Sequence, residues 1–336
     1  LDSLPEEEYE AALLVIIHSG ITANWLLKRI ALQLGVENPA QALAAFTVAR
    51  VIEAKKHPNA DKLQVAQVEI KLGHVGEPGS MFQKSADEFA RRANAKLAGK
   101  AKIVVYGSSQ LGGDKEMVQK LKLGTIDMAL PSTVMSSEVD LIGMFEMPYI
   151  VKDRAHMGRI EKDVFWPGIA PAIEKKGLKV LAVWENGVRH ITNNKRPIKG
   201  PDDLKGIKLR VPEGKWRVKM FQDYGANPSP MKFSELFTAL QTGVMDGQEN
   251  PYTQIYSAKL HEVQKYLSLS GHVYTPAYLT VGTRRYNGLP EDVRQVLEAT
   301  AKETQAYVYE TAAKDETDLL AKLKQTKGLM GVTKRT

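Results

Sequence analysis

The 336-residue chain contains no cysteine and no long apolar run. The lack of cysteine excludes disulfide bonds, thiolate metal sites and cysteine nucleophiles, but it fixes no compartment. The longest apolar candidate, Ala11–Ile17, is much shorter than the roughly 20 residues that cross a bilayer. It follows an acidic stretch, whereas a secretory signal begins with basic residues. The sequence therefore predicts neither a membrane span nor a visible export signal.

Common catalytic and nucleotide-binding signatures are also missing. The glycine-rich stretch GSSQLGGDK lacks the ending of a P-loop, and there is no G-x-G-x-x-G, H-E-x-x-H or G-x-S-x-G motif. The seven histidines are scattered, and we interpret His74, His190 and His272 as structural or lining residues. Asp246 and Glu249 have no His or Lys beside them to suggest acid–base chemistry. The sequence thus predicts recognition without catalysis, and neither a metal nor a cofactor.

Residues 1–68 differ in pattern from the rest of the chain. Two helices are predicted over Pro5–Ile17 and Thr22–Leu34, and their spacing faintly suggests a helix-turn-helix. Phe46–Ile70 predicts a β-hairpin with a turn at His57–Asn59. The net charge of +7 suits anionic partners, from small carboxylates to nucleic acid, but solubility alone would also explain it.

The stretch FTVARVIEAKKHPNADKLQVAQVEI resembles the start of the tRNA-binding module of the bacterial phenylalanyl-tRNA synthetase beta subunit. The resemblance covers only this one stretch, and no basic patch with interleaved aromatic residues follows it. It leaves a nucleic-acid or tRNA-associated module in residues 1–68 as an alternative function, although no nucleic acid is expected as a partner of the main body.

From Glu69 onward, strands alternate with helices. Strands are predicted at VEIKLGHV, AKIVVYG, TIDMALPS, KVLAVWENG and GIKLRVP. Helices are predicted with a Ser80 cap, a Gly124 stop, and a Ser234 cap before a Gly243 stop, and a long helix covers Leu289–Gln325. This alternation predicts βαβ units, a mostly parallel sheet and an α/β fold.

Ligands of open α/β sheets lie beyond the carboxyl ends of the strands. The corresponding loops here are residues 74–80, 107–114, 130–133, 185–194 and 210–216. Arg189 follows one strand and Arg210 ends another, which suits bidentate binding of a carboxylate, although either could form a surface salt bridge. In ALQTGVMDGQENP, Gly247 is expected to turn the chain so that polar groups converge.

Five motifs occur in one order: YGSSQLGGDKEMVQKLKLGTIDMAL, GMFEMPYIVKD, DLKGIKLRVPEG, GANPSPMKFSELFTALQTGVMDGQENP and SLSGHVYTPAYLTVG. Together they resemble the solute-binding proteins of TRAP (tripartite ATP-independent periplasmic) transporters, the DctP-like group. The resemblance runs from about Glu69 to about Gln325. It implies an α/β two-domain clamshell with interleaved domains, a ligand cleft at the hinge and a long helix that spans both domains.

The resemblance also implies the site. Arg210 matches the arginine that makes the main bidentate contact with the ligand carboxylate, and Arg189 matches a second arginine in the loop after the preceding strand. Asn250 and Phe233 match an asparagine and an aromatic residue that face the ligand. The remaining loop candidates that line the cleft are His74, Glu77, Gln110, Asp114 and Ser132. Separately from the resemblance, Trp216 and Tyr252 are aromatic candidates for flat walls against a sugar ring, and either could equally belong to the core.

The implied domain organisation has three parts. Residues 1–68 form an atypical extension without a family counterpart, residues 69–187 and about 276–315 form domain I, and residues 188–275 and about 316–336 form domain II. The chain ends earlier than the family usually does, and GLMGVTKRT is expected to begin a strand.

The function implied is that of a receptor and not of an enzyme. We expect a periplasmic, monomeric protein that binds a small organic acid and delivers it to the TRAP membrane permease subunits. The ligand is a sugar acid such as a uronate, or else a dicarboxylate or keto acid. An enzyme acting on a carboxylate substrate is a further alternative.

Overall fold

The structure is a computed structural model that describes residues 51–56, 64–326, 329 and 331–334. The two helices predicted within the first 50 residues and the predicted turn at His57–Asn59 lie outside the described residues.

The described chain alternates strands and helices. The strands are β1 Val51–Lys56, β2 Gln64–Gly73, β3 Ala101–Tyr106, β4 Met128–Ala129, β5 Leu178–Asn193, β6 Lys208–Val211, β7 Asn227–Pro230, β8 Gly247–Pro251, β9 Tyr266–Gly282 and β10 Gly331–Lys334. The α-helices are α1 Met81–Leu97, α2 Asp114–Leu123, α3 Met135–Glu138, α4 Arg154–Ile160, α5 Ala170–Glu174, α6 Lys215–Asp223, α7 Leu236–Gln241, α8 Tyr252–Ser257, α9 Thr283–Tyr286 and α10 Glu291–Lys324. A π-helix covers Glu161–Ile169, and 3₁₀ turns cover Asp140–Glu146, Pro201–Leu204, Phe233–Glu235 and Leu260–Glu262.

One sheet connects the whole described chain, in the order β1-β2-β4-β9-β5-β8-β6-β7, with β3 on β2 and β10 on β9. The pairs of β2 with β3 and β4, and of β6 with β7 and β8, are parallel, as βαβ units require. The centre is antiparallel, because β5 pairs with both β8 and β9 in that sense. The α/β fold is therefore confirmed, whereas parallel pairing is correct around β2 and β6 but not at the centre or at the edge, where β1 pairs with β2 in the antiparallel sense.

Strands β5 and β9 connect the two halves of the molecule. They pair from Leu178 and Gly282 at one end to Asn193 and Tyr266 at the other, with three register shifts between. Such irregularities bend strands and increase their twist, which lets one ladder serve two differently oriented halves. Residues 185–194, predicted as a loop, are strand as far as Asn193, so that prediction is wrong.

Apolar side chains form a core on each side of this crossing. The larger core contains Trp184, whose indole nitrogen donates to Ala301 O at 3.1 Å and whose ring meets Phe89 edge to face. Two smaller clusters lie around α7 and α8 with the last turns of α10, and around β6 with α6. Separate cores on either side of shared strands are what a two-domain clamshell requires. The exact domain boundaries stay a prediction.

Helix α10 joins the two halves a second time. Its earlier turns place Leu297 and Ala301 in the larger core. Its last turns place Leu319 and Leu323 in the smaller cluster around α7 and α8. The prediction of one long helix that spans both domains is thus confirmed. Among the described helices, none combines the length and apolarity of a membrane span.

Local sequence signals predict two of the helix ends correctly, but they fail at Ser234 and Gly247. Ser80 caps α1 by accepting from Gln83 N, and Gly124 ends α2 with a φ of 76°. Ser234 caps nothing, because Phe233–Glu235 is a 3₁₀ turn before α7. Gly247 does not turn the chain either. It begins β8, where a Cβ atom would lie 2.4 Å from the carbonyl oxygen of Thr192. Glycine is therefore needed here because β5 and β8 approach each other closely.

The packing of α2 on β9 predicts that Gly282→Ala destabilises the protein. A Cβ atom there would lie 2.0 Å from the carbonyl oxygen of Leu121, and backbone cannot move aside as a side chain can. We expect the free energy of unfolding in urea to fall by about 1–3 kcal/mol, the usual cost of overpacking. Gly158→Ala is the control, since a Cβ atom there meets nothing within 4 Å. Equal stability of the two variants would contradict the prediction.

Candidate functional site

Arg210 is a buried cation on β6 whose charge is not neutralised by an adjacent carboxylate. Its Nε and Nη2 donate to the carbonyl oxygen of Met231 at 3.0 and 2.6 Å, and its guanidinium carbon lies 5.8 Å from the centre of the Phe233 ring. Its Nη1 makes no hydrogen bond to any residue that the structure describes. Burial lowers the pKa of Arg210 to about 10, so it remains protonated at neutral pH.

Asp114, in the other half of the molecule, is an acidic group that interacts electrostatically with Arg210. It is the first residue of α2, and its Oδ1 is buried without a hydrogen-bond partner in the described chain. Burial raises the pKa of Asp114 to about 7, against the opposing charges of Arg210 and Arg189. A carboxylate oxygen without a donor is costly when buried. The pair therefore offers an acceptor and a donor that the described chain does not satisfy.

Arg189 lies within β5. The edge of its guanidinium group that could bind a ligand carboxylate, formed by Nε and Nη2, is already occupied by Glu249. Its Nε and Nη2 donate to the carboxylate of Glu249, Nη2 also donates to the Glu249 carbonyl at 2.6 Å, and Nη2 reaches Asn250 Oδ1 at 3.1 Å. The predicted placement of Arg189 in a loop is wrong. Its predicted contact with the ligand stays a prediction, for which Nη1 is the remaining donor.

Glu249 is the centre of a fully buried charge network. Arg217 on α6 donates through Nη1 to Glu249 at 2.6 Å and through Nε and Nη2 to Glu146 at 2.9 and 2.6 Å. His272 Nε2 lies 3.1 Å from the same Glu249 oxygen. Because Arg189 completes the set, two guanidinium groups face two carboxylates. Glu146 belongs to the 3₁₀ turn Asp140–Glu146, so the network joins the two halves.

The protonation states follow from this balance. Burial alone would raise the pKa of Glu249, but Arg189 and Arg217 hold it well below its usual range. Burial raises the pKa of Glu146, against the pull of Arg217. Burial lowers the pKa of His272, against the attraction of Glu249, so the imidazole is neutral. The network therefore places two guanidinium groups against two carboxyl groups, with a neutral histidine at the side.

The sequence did not reveal the roles of Arg217 and Glu146. Glu146 had a usable signal, because it is the only charge in the apolar stretch GMFEMPY, and a lone acid there is buried only when paired. Arg217 had none, since Lys215 and Lys219 flank it on the same helix and are exposed. Only the fold distinguishes the buried cation from its neighbours.

The predicted early loops lie on the first half. His74 is fully buried against Phe82, and burial lowers its pKa to about 4, so it is neutral. Glu77 accepts from Ser108 Oγ at 2.7 Å. Gln110 is exposed four residues before Asp114. These residues surround the start of α2, but Asp114 is the one with electrostatic contact to Arg210.

Four other residues predicted to line the ligand site lie in different parts of the structure. Ser132 is buried and donates to the carbonyl oxygen of Pro276 at 2.6 Å. Trp216 packs against Gly143, where the two halves meet. Tyr252 is buried and stacks on His190 with ring centres 4.2 Å apart, with no recorded contact to Arg210 in the described chain. Asn250 is fixed by donating to Gln248 Oε1 at 2.6 Å and accepting from Arg189.

Surface ion pairs close the two halves around Arg210 and Asp114. Lys232 Nζ pairs with Glu116 at 2.6 Å, and Lys215 pairs with Asp140. Both pairs are exposed, so each contributes modestly. Within the described residues, no group of three or more His, Asp and Glu side chains has the arrangement of a metal site.

The charge network predicts that Arg217→Met strongly destabilises the protein. The change leaves Glu146 without a cation and Glu249 with one cation fewer. Breaking a buried pair by removing one partner costs about 3–5 kcal/mol. Urea unfolding of Arg217→Met should show that loss, and the double variant with Glu146→Gln should recover part of it. A loss below about 1 kcal/mol would show that the network is not the constraint described.

Comparisons with known proteins find relatives that cover most of this chain. The 2,3-diketo-L-gulonate-binding periplasmic protein YiaO of Escherichia coli is 34% identical over 262 residues, which cover 78% of this chain and 80% of that protein. The C4-dicarboxylate-binding periplasmic protein DctP of Rhodobacter capsulatus is 34% identical over 257 residues, 76% of this chain and 77% of that protein. The crystal structure of the sugar acid binding protein DctPAm from Advenella mimigardefordensis in complex with galactonate has a TM-score of 0.77 at 32% identity, covering 80% of this chain and 87% of that one.

The family match extends over most of the chain. The profile of the DctP family, bacterial extracellular solute-binding protein family 7, matches residues 72–335. The match begins in β2 and includes the elements that carry Asp114, Arg189, Arg210 and the buried network. With the shared fold and the level of identity, the conclusion is plain: this chain belongs to the DctP family of bacterial extracellular solute-binding proteins.

Proposed function

We propose that this chain is the extracytoplasmic receptor of a TRAP transporter, which binds a sugar acid by its carboxylate at Arg210 and delivers it to the membrane permease subunits. In this proposal the protein acts as a monomer in the periplasm, needs no cofactor or metal, and catalyses no reaction. The observation that carries it is the unsatisfied pair of Arg210 and Asp114 between the two halves.

Arg210 supplies the affinity in this proposal. The Met231 carbonyl fixes the guanidinium in place but leaves its positive charge uncompensated, with Nη1 as a free donor in the described chain. A ligand carboxylate would supply the missing negative charge. Because the site excludes water when the halves meet, a charge-assisted hydrogen bond there is stronger than on a surface.

Asp114 supplies the preference for a hydroxy acid. At a pH above its pKa of about 7 it is an anion with a buried oxygen that lacks a donor. A hydroxyl group beside the ligand carboxylate would donate to that oxygen. The second carboxylate of a dicarboxylate would instead be repelled by it. This favours sugar acids over succinate-like ligands, although a relative at 34% identity carries the name of a C4-dicarboxylate-binding protein.

Closure follows from the same contacts. Arg210 belongs to the second half and Asp114 to the first, so one ligand can satisfy both groups only when the halves meet. Hinge closure around a ligand is the established behaviour of two-domain binding proteins. The alternative of a nucleic-acid module concerns residues 1–68 and predicts salt-dependent binding of RNA that survives the loss of Arg210.

The first test is the role of Arg210. We expect D-galactonate to raise the melting temperature of the purified protein, because a ligand that binds only the folded state stabilises it. Arg210→Ala and Arg210→Lys should each weaken binding about 100-fold or more in calorimetric titration, since lysine keeps the charge but loses the planar fork. Arg159→Ala is the control, as Arg159 is exposed on α4. Unchanged affinity in both Arg210 variants would exclude the proposed clamp.

The second test concerns Asp114. Asp114→Leu keeps the branched shape but has a larger side chain with no charge and no acceptor, so D-galactonate should bind at least about tenfold more weakly, the cost of an unpaired hydroxyl. Succinate should bind the variant at least as tightly as the original protein. In the original protein, succinate affinity should rise from pH 8 to pH 6, because the pKa of Asp114 is about 7 and protonation removes the repulsion.

The controls separate substrate class from folding. Asp163→Asn, at an exposed position on the π-helix, should leave the affinities for D-galactonate and for succinate unchanged. A protein that prefers succinate to D-galactonate at pH 8 would overturn the sugar-acid assignment while leaving Arg210 as the carboxylate clamp.

A further inference from the structure

A second cavity lies behind the buried charge network, away from Arg210. It has a volume of about 320 Å³ and lies between Tyr149 of the first half and a wall of the second half that includes Phe221, Tyr224 and Ile198. Its floor is Ser270 and His272 on β9. The volume is in the range of small-molecule sites, and it is ample for a ligand of one or two rings.

The aromatic walls are arranged to receive another ring. Phe221 meets Tyr224 edge to face, with centres 6.2 Å apart, and meets His272 at 5.5 Å and 72°. Aromatic groups prefer such offset or perpendicular contacts over face-to-face stacking. A flat ligand inserted beside Phe221 can therefore extend an existing aromatic cluster, while Ile198 supplies an aliphatic side.

Tyr149 is held in a costly backbone conformation at the entrance. Its φ is 61°, in the left-handed region that a bulky side chain rarely adopts. The conformation is maintained by a hydrogen bond from Tyr149 N to the carbonyl oxygen of His272 at 2.9 Å. The residue is 49% exposed, so it lies at the rim of the cavity and not in the core. Strained residues of this kind concentrate at ligand-binding positions.

Lys199 is the one charged residue among the described residues that line the cavity. Lys199 lines the cavity and has no ion pair with any residue in the described chain, whereas its neighbour Asp203 accepts from the Lys199 backbone nitrogen. The inner end offers the Ser270 hydroxyl, which already shares a hydrogen bond with His272 Nδ1 at 2.8 Å. An apolar, aromatic cavity with one cation at its edge is complementary to an aromatic monoanion.

We propose that this cavity is a second ligand site, distinct from the Arg210 cleft, which binds a small aromatic carboxylate with its ring against Phe221 and Tyr224 and its carboxylate toward Lys199. The proposal does not depend on the function assigned to the cleft, because the two sites share no lining residue.

The probe is indole-3-acetate, which has both a flat ring system and a carboxylate. Isothermal titration should give fragment-like binding with a Kd on the order of 0.1–1 mM. Gly200→Phe should weaken it at least tenfold, because Gly200 lines the cavity and a Cβ atom there meets nothing within 4 Å. Gly158→Phe is the matched control, placing the same side chain at another open position, and should leave binding unchanged.

Two further variants separate this site from the cleft. Arg210→Ala should leave indole-3-acetate binding unchanged. Lys199→Gln should weaken indole-3-acetate two- to fivefold, as expected for an exposed charge, and should not affect neutral indole. Should Gly200→Phe fail to fold, intermolecular nuclear Overhauser effects between the indole protons and the methyl groups of Ile198 in the original protein give the same answer.

The proposal is overturned if indole-3-acetate does not bind, or if Arg210→Ala abolishes its binding, which would assign it to the cleft. It is also overturned if a folded Gly200→Phe binds as well as the original protein, or if the Overhauser effects to Ile198 are absent at saturation.

Discussion

The buried network of Glu146, Arg217, Glu249 and Arg189 is the interaction on which the arrangement of both halves depends. Each charge is tolerable in the interior only because a partner of opposite sign lies within hydrogen-bonding distance. Glu146 comes from the first half and the other three residues from the second, so full pairing requires the halves to meet in one geometry. Such a network adds little net stability over apolar packing, but it makes other arrangements expensive.

The network also gives the two arginines different surroundings. Glu249 occupies the Nε–Nη2 edge of Arg189, whereas the same edge of Arg210 binds only the neutral carbonyl of Met231. A carbonyl orients a guanidinium without neutralising it. Two arginines that look equivalent in the sequence therefore differ in the structure: Arg189 forms an ion pair with Glu249, whereas Arg210 forms no ion pair within the described chain and interacts with Asp114 only at longer range.

Sequence patterns predicted what depends on neighbours along the chain. The Ser80 cap, the Gly124 stop and the length of α10 follow from local hydrogen bonding and periodicity. Residues 185–194 were misjudged because Asn and Gly suggest a turn, whereas Gly187, at a φ of 133°, accommodates a register shift inside a continuous strand. The partners of Arg189 could not be predicted at all, since Glu249 becomes its neighbour only through the pairing of β5 with β8.

Glu249 connects the buried network with the wall of the cavity at Tyr149. It binds both Arg189 and His272, and His272 lines that cavity. His272 is neutral, so its hydrogen bond to Glu249 transmits position and not charge. Because Tyr149 N binds the backbone of His272, a shift of the first half at that rim must move either this hydrogen bond or the strand that carries it. Coupling between the two sides of the hinge therefore has a defined physical route, through packed and fully buried groups that have little freedom to adjust independently.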